Sequence, residues 1–385
     1  MHIVKQKKIL FINVGWEQFP TIKFLKKTGC KIYGICFQKK INHKEYFEKV
    51  LHCRLDQINE IINYTKKINP DGIISDQCDF SYLIHSKIAK KFNLIGPKIK
   101  DAKLFTDKIY QRKLLSKSKL KTPAFFSTKK YENAHIKLKK IESEKIVIKP
   151  SDNRGGIGVN IIKKKKFDKK IFFKSIIHSK SKNLIFEEFI DGDHYNLDGM
   201  VINNKCKLLG ISYNQKMKNK IVNKYLYYDQ NLLKKKKLIN FFYKLCNVFK
   251  PKFGLIHAEI IIDKQNNIYL TEIANRGGGI RISNTVLSRI CGYNINDYLI
   301  KISLKKKIKL KKTIEKSKAI LIKFLPIRKK INNLNYKTKN LIFFKKLTNY
   351  KAITDSSRRN FMIIAEGENM AKINNTIKKT LIKII

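Results

Sequence analysis

Several features that define other classes of protein are absent from this chain of 385 residues. Its seven cysteines form no CxxC pair, which argues against a zinc site or a disulfide framework and for free thiols in a reducing compartment. No run of about 18 apolar residues occurs, so the sequence predicts no membrane span. The short apolar run 9–14 predicts a strand rather than a signal peptide. We therefore expect a cytoplasmic protein without a membrane partner.

Arginine is also scarce, at nine of the 84 basic residues. The formal net charge of +55 suggests a polyanion partner, but the lysines are spread along the whole chain. Surfaces that bind nucleic acid usually cluster basic residues with arginine or aromatic side chains. The joint abundance of Lys, Ile and Asn is typical of a coding bias towards A and T. We favour a solvated lysine coat that attracts anionic substrates, and a nucleic-acid-binding protein stays as a lesser alternative.

Two common nucleotide-binding motifs are missing as well. No Walker A sequence occurs, and no GxGxxG follows the strand predicted at 9–14, which argues against a dinucleotide-binding oxidoreductase. The first hundred residues alternate apolar runs with helical periods, so they predict a parallel sheet wrapped by helices. Later strands joined by short Gly, Asp or Asn turns indicate antiparallel pairing. The predicted class is α/β and α+β, with parts at 1–103, 104–310 and 311–385.

A glycine-rich loop follows a predicted strand at residues 147–159 (VIKPSDNRGGIGV). Glycine allows backbone N–H groups to approach phosphate oxygens closely, and Lys149 at the base of the loop adds a point charge. These residues favour a phosphate-binding loop. A plain hairpin turn with an exposed lysine explains them equally well.

Two glutamates on neighbouring predicted strands suggest a cation site. If strands 254–263 and 268–273 are joined by a two-residue loop at 265–266, Glu259 lies directly opposite Glu272. Two facing carboxylates repel each other unless a proton or a cation lies between them, and Mg²⁺ prefers such oxygen ligands. A register slip of one residue would instead send the two side chains to opposite faces as unrelated strand glutamates.

Three other segments contain candidate binding residues. The segment 185–199 (IFEEFIDGDHYNLDG) could present backbone groups and a carboxylate to an adenine edge, although a salt bridge would also explain its paired acids. Arg276 and Arg281 flank the glycine run that follows Glu272, and arginine forks bind carboxylate or phosphate oxygens. Asp76 and Asp79 follow a predicted strand, where they could hold an ammonium group or cap the next helix.

In their order along nearly the whole chain, these segments resemble the ATP-grasp superfamily. The similarity is to the carboxylate–amine ligase branch, whose C-terminal portion is like that of biotin carboxylase and which shares its ATP-grasp fold with carbamoyl-phosphate synthase. The segments that carry the resemblance are DK at 107–108, VIKPSDNRGGIGV at 147–159, IFEEFIDGDHYNLDG at 185–199, HAEIIID at 257–263, LTEIANRGGG at 270–279 and RRNFMIIAEGENMAKI at 358–373.

The resemblance implies a fold and a nucleotide site. It implies a Rossmann-like N-terminal domain, a central domain of two subdomains with antiparallel sheets and a lid at about 122–190, and a small C-terminal α+β part. The loop 151–158 would close over the phosphates, Glu187 would bind adenine together with backbone groups, and His194 stands where the family often has a ribose-binding glutamate. The full implied ATP-binding set is Lys108, Lys149, Ser151, Gly155, Gly156, Gly158, Glu187, Glu188, Ile190 and His194.

The resemblance also implies a metal site and a reaction. Glu259 and Glu272 would hold Mg²⁺ or Mn²⁺, and because Ala274 replaces the family's usual asparagine, Asn275 is the third candidate ligand. Arg276, with Lys149, would stabilise the acyl phosphate formed from a carboxylate and ATP. An amine would then take the acyl group, with release of ADP and phosphate.

The implied partners are small-molecule carboxylates and amines, with Arg281, Asp76 and Asp79 as candidate substrate ligands, and a homodimer is compatible with this reading. Two alternatives remain. One is a catalytically silent ATP-grasp module that binds nucleotide without turnover, which the missing asparagine at 274 favours. The other is the nucleic-acid-binding protein suggested by charge alone.

Overall fold

The computed structural model describes residues 6–39, 41, 43–326, 338–347 and 360–384. Residues 358 and 359 of the predicted closing motif lie outside these ranges, as do other parts of the predicted C-terminal region. The described residues form one parallel and two antiparallel sheets, so the predicted combination of α/β and α+β architecture is confirmed. Within those ranges no helix has the length and apolar character needed to cross a bilayer.

A parallel four-stranded sheet forms the first part of the chain. Its elements are β1 (Lys8–Ile12), α1 (Phe19–Lys27), β2 (Lys31–Cys36), β3 (Lys49–His52), α2 (Ile58–Ile68), β4 (Gly72–Ser75) and α3 (Asp79–Lys91). The strand order is β3-β2-β1-β4, and the apolar residues 9–12 of β1 are completely buried because helices cover both faces. The carboxyl ends of β1 and β4 are adjacent, and the loops that follow them reach the candidate site.

A small antiparallel sheet covers residues 125–188. The segment contains α4 (Ile99–Leu104), α5 (Lys108–Leu115), β5 (Phe125–Thr128), α6 (Tyr131–Lys137), β6 (Lys145–Pro150), β7 (Asn160–Lys163), α7 (Lys169–Ile176) and β8 (Leu184–Glu188). The strand order is β5-β8-β6-β7, with all pairs antiparallel. Phe172 and Phe186 lie in the apolar cluster that joins α7 to this sheet. The predicted bounds of the lid and of the three domains stay predictions.

An eight-stranded antiparallel sheet forms the rest of the described chain. Its elements are β9 (Gly192–Ile202), β10 (Lys205–Lys216), β11 (Asn223–Asp229), α8 (Lys236–Phe249), β12 (Leu255–Asp263), β13 (Ile268–Ala274), a π-helical turn (Ile282–Leu287), α9 (Ser288–Cys291), α10 (Ile295–Ser303), β14 (Ala319–Leu325), β15 (Leu341–Lys346), β16 (Phe361–Gly367) and α11 (Met370–Ile384). The order is β13-β12-β9-β10-β11-β14-β16-β15, so the last three strands extend the central sheet.

The amphipathic helix α8 covers one face of the central sheet. Its apolar side buries Leu238, Phe242 and Leu245 against residues of β9 and β12, which form the largest apolar cluster of this region. The helix ends at Lys250, which has a left-handed backbone conformation, and Pro251 follows. The helix thus covers one face of the sheet, and the polar residues of β9 at 194, 196 and 198 lie on the other face.

Candidate active site

The hairpin of β12 and β13 brings the two predicted glutamates together. Glu259 pairs directly with Glu272, which confirms the predicted register. The predicted two-residue loop is wrong, because Asp263 pairs with Asn267 and leaves three residues, 264–266, in the loop. A β-bulge restores the pairing. Glu259 pairs with Glu272, but the next residue, Ile260, pairs with Leu270, so Thr271 is an extra residue on β13.

The facing glutamates are partly exposed, at 37% for Glu259 and 26% for Glu272. Lys216 Nζ and His257 Nε2 each lie 3.8 Å from Glu259, and Lys108 Nζ lies 3.1 Å from Glu272. Burial raises the pKa of Glu259, but Lys216 and His257 outweigh burial and lower it, so the group is ionised at neutral pH. No set of three or more His, Cys, Asp or Glu side chains forms a metal centre in the described ranges. Two facing carboxylates fit Mg²⁺, which takes its other ligands from water and phosphate.

The structure contradicts the prediction that Asn275 supplies a third metal ligand. Its Nδ2 donates to the carbonyl oxygens of Phe253 and Leu255, at 2.5 and 2.7 Å, and its Oδ1 accepts a hydrogen bond from Tyr82 at 2.8 Å. The side chain is buried in these contacts. Side chains alternate along a strand, so residue 275 faces away from the side on which Glu272 lies.

The helix α5 places Lys108 between the glycine-rich loop and the acid pair. Asp107 caps this helix by accepting a hydrogen bond from Ile109 N, which decides between Thr106 and Asp107, the two caps that the sequence allows. Lys108 Nζ then donates to Asn153 O at 2.7 Å and to Glu272 Oε1 at 3.1 Å. A single ammonium group therefore connects the predicted phosphate loop with the predicted metal site.

The second predicted lysine lies in a buried ion cluster. Lys149 Nζ is 2.6 Å from Glu187 Oε2, and Arg112 Nε is 2.6 Å from Glu187 Oε1. Burial alone would raise the pKa of Glu187, but the two cations outweigh burial and lower the pKa to about 2. Both carboxylate oxygens thus contact cations, and the predicted contact of this side chain with adenine stays a prediction. Arg112 was not among the candidate residues in the sequence.

The glycine-rich loop has the backbone geometry that its sequence requires. Gly155, Gly156 and Gly158 all have positive φ angles, and a Cβ at Gly158 would clash with Pro150 and His178. Ser151, at the start of the loop, is buried, and its hydroxyl lies 3.4 Å from an oxygen of Asp107 and 3.2 Å from the hydroxyl of Ser181. These contacts support the start of the loop, and the predicted contact of Ser151 with ATP stays a prediction.

The predicted adenine and ribose residues lie along the path from β8 to β9. Glu188 ends β8, its N–H donates to Ala124 O, and Ile190 lies in the open segment before β9. His194 is on β9, two residues from Asn196, which pairs with Glu259. Burial and then the charge of Lys216 lower the pKa of His194 to about 3, so its imidazole is neutral. The nucleotide contacts of Glu188, Ile190 and His194 stay predictions.

The predicted arginine and aspartates meet where the first sheet contacts the central sheet. Arg276 Nε and Nη2 each donate to an Asp79 oxygen at 2.8 Å. The oxygens of Asp76 accept from Gly277 N and from the Ser283 hydroxyl. All four carboxylate oxygens are thus engaged, which contradicts the prediction that Asp76 and Asp79 hold a substrate ammonium group. Their role is to position Arg276 and the glycine run.

Glu17, which the sequence analysis did not single out, lies at the same interface. Its Oε1 accepts a hydrogen bond from Ile280 N, and Oε2 has no hydrogen-bond donor in the part of the chain that the structure describes. Burial raises the pKa of Glu17, while the hydrogen bond from Ile280 and nearby Arg154 and Arg276 lower it in part. Glu17 is therefore the acid that has an oxygen available for a ligand here.

Arg281 is the cation in the loop that follows the glycine run. Its guanidinium lies 3.7 Å from the centre of the Phe343 ring, and Nη2 donates to Trp16 O at 3.3 Å. Ile280 and Arg281 both have positive φ angles, a strained arrangement that is typical of functional loops. Among the described residues Arg281 forms no ion pair with an acid within 4.0 Å, so its charge can bind an anionic group.

A chain of polar contacts beneath the site, formed by Tyr228, Asp198 and His257, was also not predicted from the sequence. Asp198 accepts a hydrogen bond from Tyr228 at 2.8 Å and lies 2.6 Å from His257 Nδ1. Burial lowers the pKa of His257, but Asp198 and Glu259 outweigh it and raise the pKa to about 9. Polar residues at alternate positions of β9 (194, 196 and 198) were the signal that could have revealed this face.

Comparisons with known proteins agree with this geometry. Residues 105–279 match the family model described as the ATP-grasp domain. No curated protein sequence matches the chain.

Solved structures match almost the full length of the chain. An L-amino acid ligase from Bacillus licheniformis has a TM-score of 0.77 at 16% identity, covering 97% of each chain. A phosphoribosylglycinamide synthetase from Anaerococcus prevotii has a TM-score of 0.72 at 17% identity, covering 99% of each chain. The biotin carboxylase domain of Hydrogenobacter thermophilus 2-oxoglutarate carboxylase, solved as a dimer with MgADP and bicarbonate, has a TM-score of 0.77 at 15% identity, covering 98% of this chain and 90% of that one. Residues 105–279 therefore match the ATP-grasp domain, and the chain as a whole shares the fold of these solved structures.

Proposed function

We propose that this protein is an ATP-dependent ligase that joins a carboxylate to an amine and releases ADP and phosphate. The observation that carries the proposal is the position of Lys108, whose ammonium group contacts both Asn153 in the glycine-rich loop and Glu272 in the acid pair. A triphosphate bound there would lie between cations and facing carboxylates. The solved structures of similar fold include an L-amino acid ligase and a biotin carboxylase domain bound to MgADP, which supports this reading.

The nucleotide would be held mainly by two lysines and by backbone groups. Lys108 and Lys149 would bind phosphate oxygens, and the N–H groups of the loop 151–158 would close over them as a lid that excludes water. The adenine edge would meet backbone groups of Glu188 and Ile190. The neutral imidazole of His194 can hydrogen-bond a ribose hydroxyl.

Glu259 and Glu272 would hold the divalent cation. Mg²⁺ or Mn²⁺ bound there would offset the negative charge of the transferring phosphoryl group. The two glutamates supply two oxygen ligands, which leaves positions for phosphate and water. Lys108 remains beside Glu272, so it can contact the same phosphate oxygens.

The acid would bind next to the two arginines at the interface of the first and central sheets. An oxygen of the substrate carboxylate attacks the γ-phosphorus, the bond to the β-phosphate oxygen breaks, and ADP leaves with that electron pair. Arg276, fixed by Asp79, faces the charge that develops during this step. Arg281 would hold an anionic group of the substrate, and Glu17 would bind the amine in its protonated form or take its proton. The neutral amine then attacks the acyl carbon, and phosphate leaves.

A phosphate-release screen of carboxylates crossed with amines at fixed ATP and Mg²⁺ tests the proposal. We expect ADP and phosphate only when both a productive acid and an amine are present, with amide product in equal amount. Lys149→Ala should abolish this release while the variant stays folded. Phosphate release that is independent of every acid and amine would contradict the ligase assignment.

A catalytically silent nucleotide-binding module is the second candidate. The alanine at 274 and the side chain of Asn275, which is engaged with Tyr82, leave the acid pair without the third ligand expected of the family. Binding of ADP with no turnover of ATP across the whole screen would favour this candidate.

A further inference from the structure

A buried arginine that has no role in the proposed chemistry lies directly behind the nucleotide site. Arg112 is on α5, four residues and one turn after Lys108, and its side chain has no exposed surface. Its Nε lies 2.6 Å from Glu187 on β8, and its Nη2 donates to Thr271 O on β13 at 2.9 Å. One side chain thus connects the small sheet with the acid hairpin.

The charges of this cluster do not cancel. Glu187 contacts Arg112 with one oxygen and Lys149 with the other, each at 2.6 Å, so two positive charges share one negative charge. If Arg112 were absent, Glu187 and Lys149 would form a neutral pair. Charge interactions are strong where little water is present, so this difference of one unit decides how strongly Lys149 attracts an anion.

The contact with Thr271 has a separate consequence. Thr271 is the extra residue of the β-bulge, and the next residue is Glu272. Gln111 supports the same strand through two hydrogen bonds with the backbone of Ile273, at 2.8 and 3.1 Å. The peptide groups on both sides of Glu272 are therefore held by α5, the helix whose first residue is Lys108.

We propose that Arg112 is a positioning residue for phosphate binding. The charge of Arg112 offsets the charge of Glu187, so Glu187 holds Lys149 in place without cancelling its attraction for the nucleotide. Arg112 also fixes the bulge that orients Glu272. The inference rests on the proposed function, since it requires that Lys149 meets phosphate groups.

Calorimetric titration of the full chain with ADP and with adenosine tests this role. In Arg112→Met we expect ADP affinity to fall about tenfold or more, because Glu187 neutralises Lys149, while adenosine affinity changes less than about threefold. Adding Glu187→Gln should restore most of the ADP affinity, because no carboxylate then opposes Lys149. A merely structural arginine predicts equal losses for the two ligands and no recovery in the double variant, and that result would overturn the inference.

Two milder variants decide the question if Arg112→Met does not fold. Arg112→Lys keeps the charge, whereas Arg112→Gln removes it, and we expect ADP to bind at least about fivefold more tightly to the former. Equal ADP affinity of these two variants would overturn the inference and leave the proposed function untouched. A wild-type chain that binds adenosine but shows no added affinity for ADP would overturn the proposed function as well.

Discussion

Glu187 and Glu272 both lie beside the lysines of the candidate nucleotide site, but their surroundings differ. The Glu187 side chain is 2% exposed and contacts two cations at 2.6 Å. The Glu272 side chain is 26% exposed, contacts Lys108 at 3.1 Å and faces a second carboxylate, Glu259. The comparison teaches that the two acids differ in role. Glu187, enclosed between two cations, stabilises the fold around the site, whereas Glu272 and the facing Glu259 are open to solvent and have oxygens that can bind a ligand.

The largest expected effect is on stability. Glu187→Gln leaves Arg112 and Lys149 as buried cations without a counter-charge, and we expect a loss of about 3–5 kcal/mol in the free energy of unfolding. Urea denaturation at pH 7 measures it. Glu188→Gln on the same strand is the matched control, with a loss below about 0.5 kcal/mol because its side chain makes no ion pair in the described structure. Equal losses in the two variants would remove the distinction drawn above.

Acid should erase that stability difference. The pKa of Glu187 is lowered from 4.5 to about 2 in the folded state, so its contribution is present above the unfolded pKa and is lost as pH falls through the folded pKa. We expect the difference between wild type and Glu187→Gln to be constant above about pH 5 and to shrink by roughly 3 kcal/mol towards pH 2. Denaturant titrations at five pH values test this, and a difference that does not depend on pH would contradict the ion cluster.

Changing the open acid pair should affect activity without affecting stability. Glu272→Gln removes one proposed metal ligand, so we expect the rate of ADP formation to fall about 100-fold, or about 2.7 kcal/mol in activation free energy. Thermal stability should stay the same or rise slightly, because repulsion between the two facing carboxylates is relieved. Glu132→Gln, an exposed change on α6, is the control for both measurements. A large loss of stability in Glu272→Gln would place this residue with Glu187.

A smaller effect is expected at the amine site. Glu17→Gln removes the negative charge proposed to bind the amine. We expect KM for the amine to rise about tenfold, with a smaller change in KM for ATP. Steady-state kinetics with the best acid–amine pair measures both constants. Glu60→Gln, an exposed change on α2, serves as the control. An unchanged KM for the amine would exclude Glu17 from that site.

The sequence predicted local features of the site better than distant contacts. The cap of α5 could be narrowed to Thr106 or Asp107 from the sequence, because capping depends on neighbours along the chain. The pairing of Glu259 with Glu272 was also predicted, but the loop and the bulge that produce it were not, because a bulge at Thr271 depends on contacts with α5. Sequence alternation alone cannot detect such an extra residue.

Contacts between residues that are distant in sequence determine the roles of several acids. Asp79 lies 197 positions from Arg276, and nothing in one sequence indicates that their charges are paired. Arg112 follows Lys108 by one helical turn and looks like an ordinary exposed residue of an amphipathic helix. The sequence did not predict β3, β5, β11 or β15. Lysine, asparagine or aspartate at the ends of β3, β11 and β15 weakens the apolar pattern, and β5 has only four residues.

The most direct test of the central claim is a calorimetric titration of ADP with and without Mg²⁺, in wild type and in Glu259→Gln/Glu272→Gln. Our account predicts that Mg²⁺ strengthens ADP binding to wild type about tenfold or more and has less than a twofold effect in the double variant, while both proteins stay folded at the temperature of the titration. An equal effect of Mg²⁺ on both proteins would show that the facing glutamates do not hold the cation.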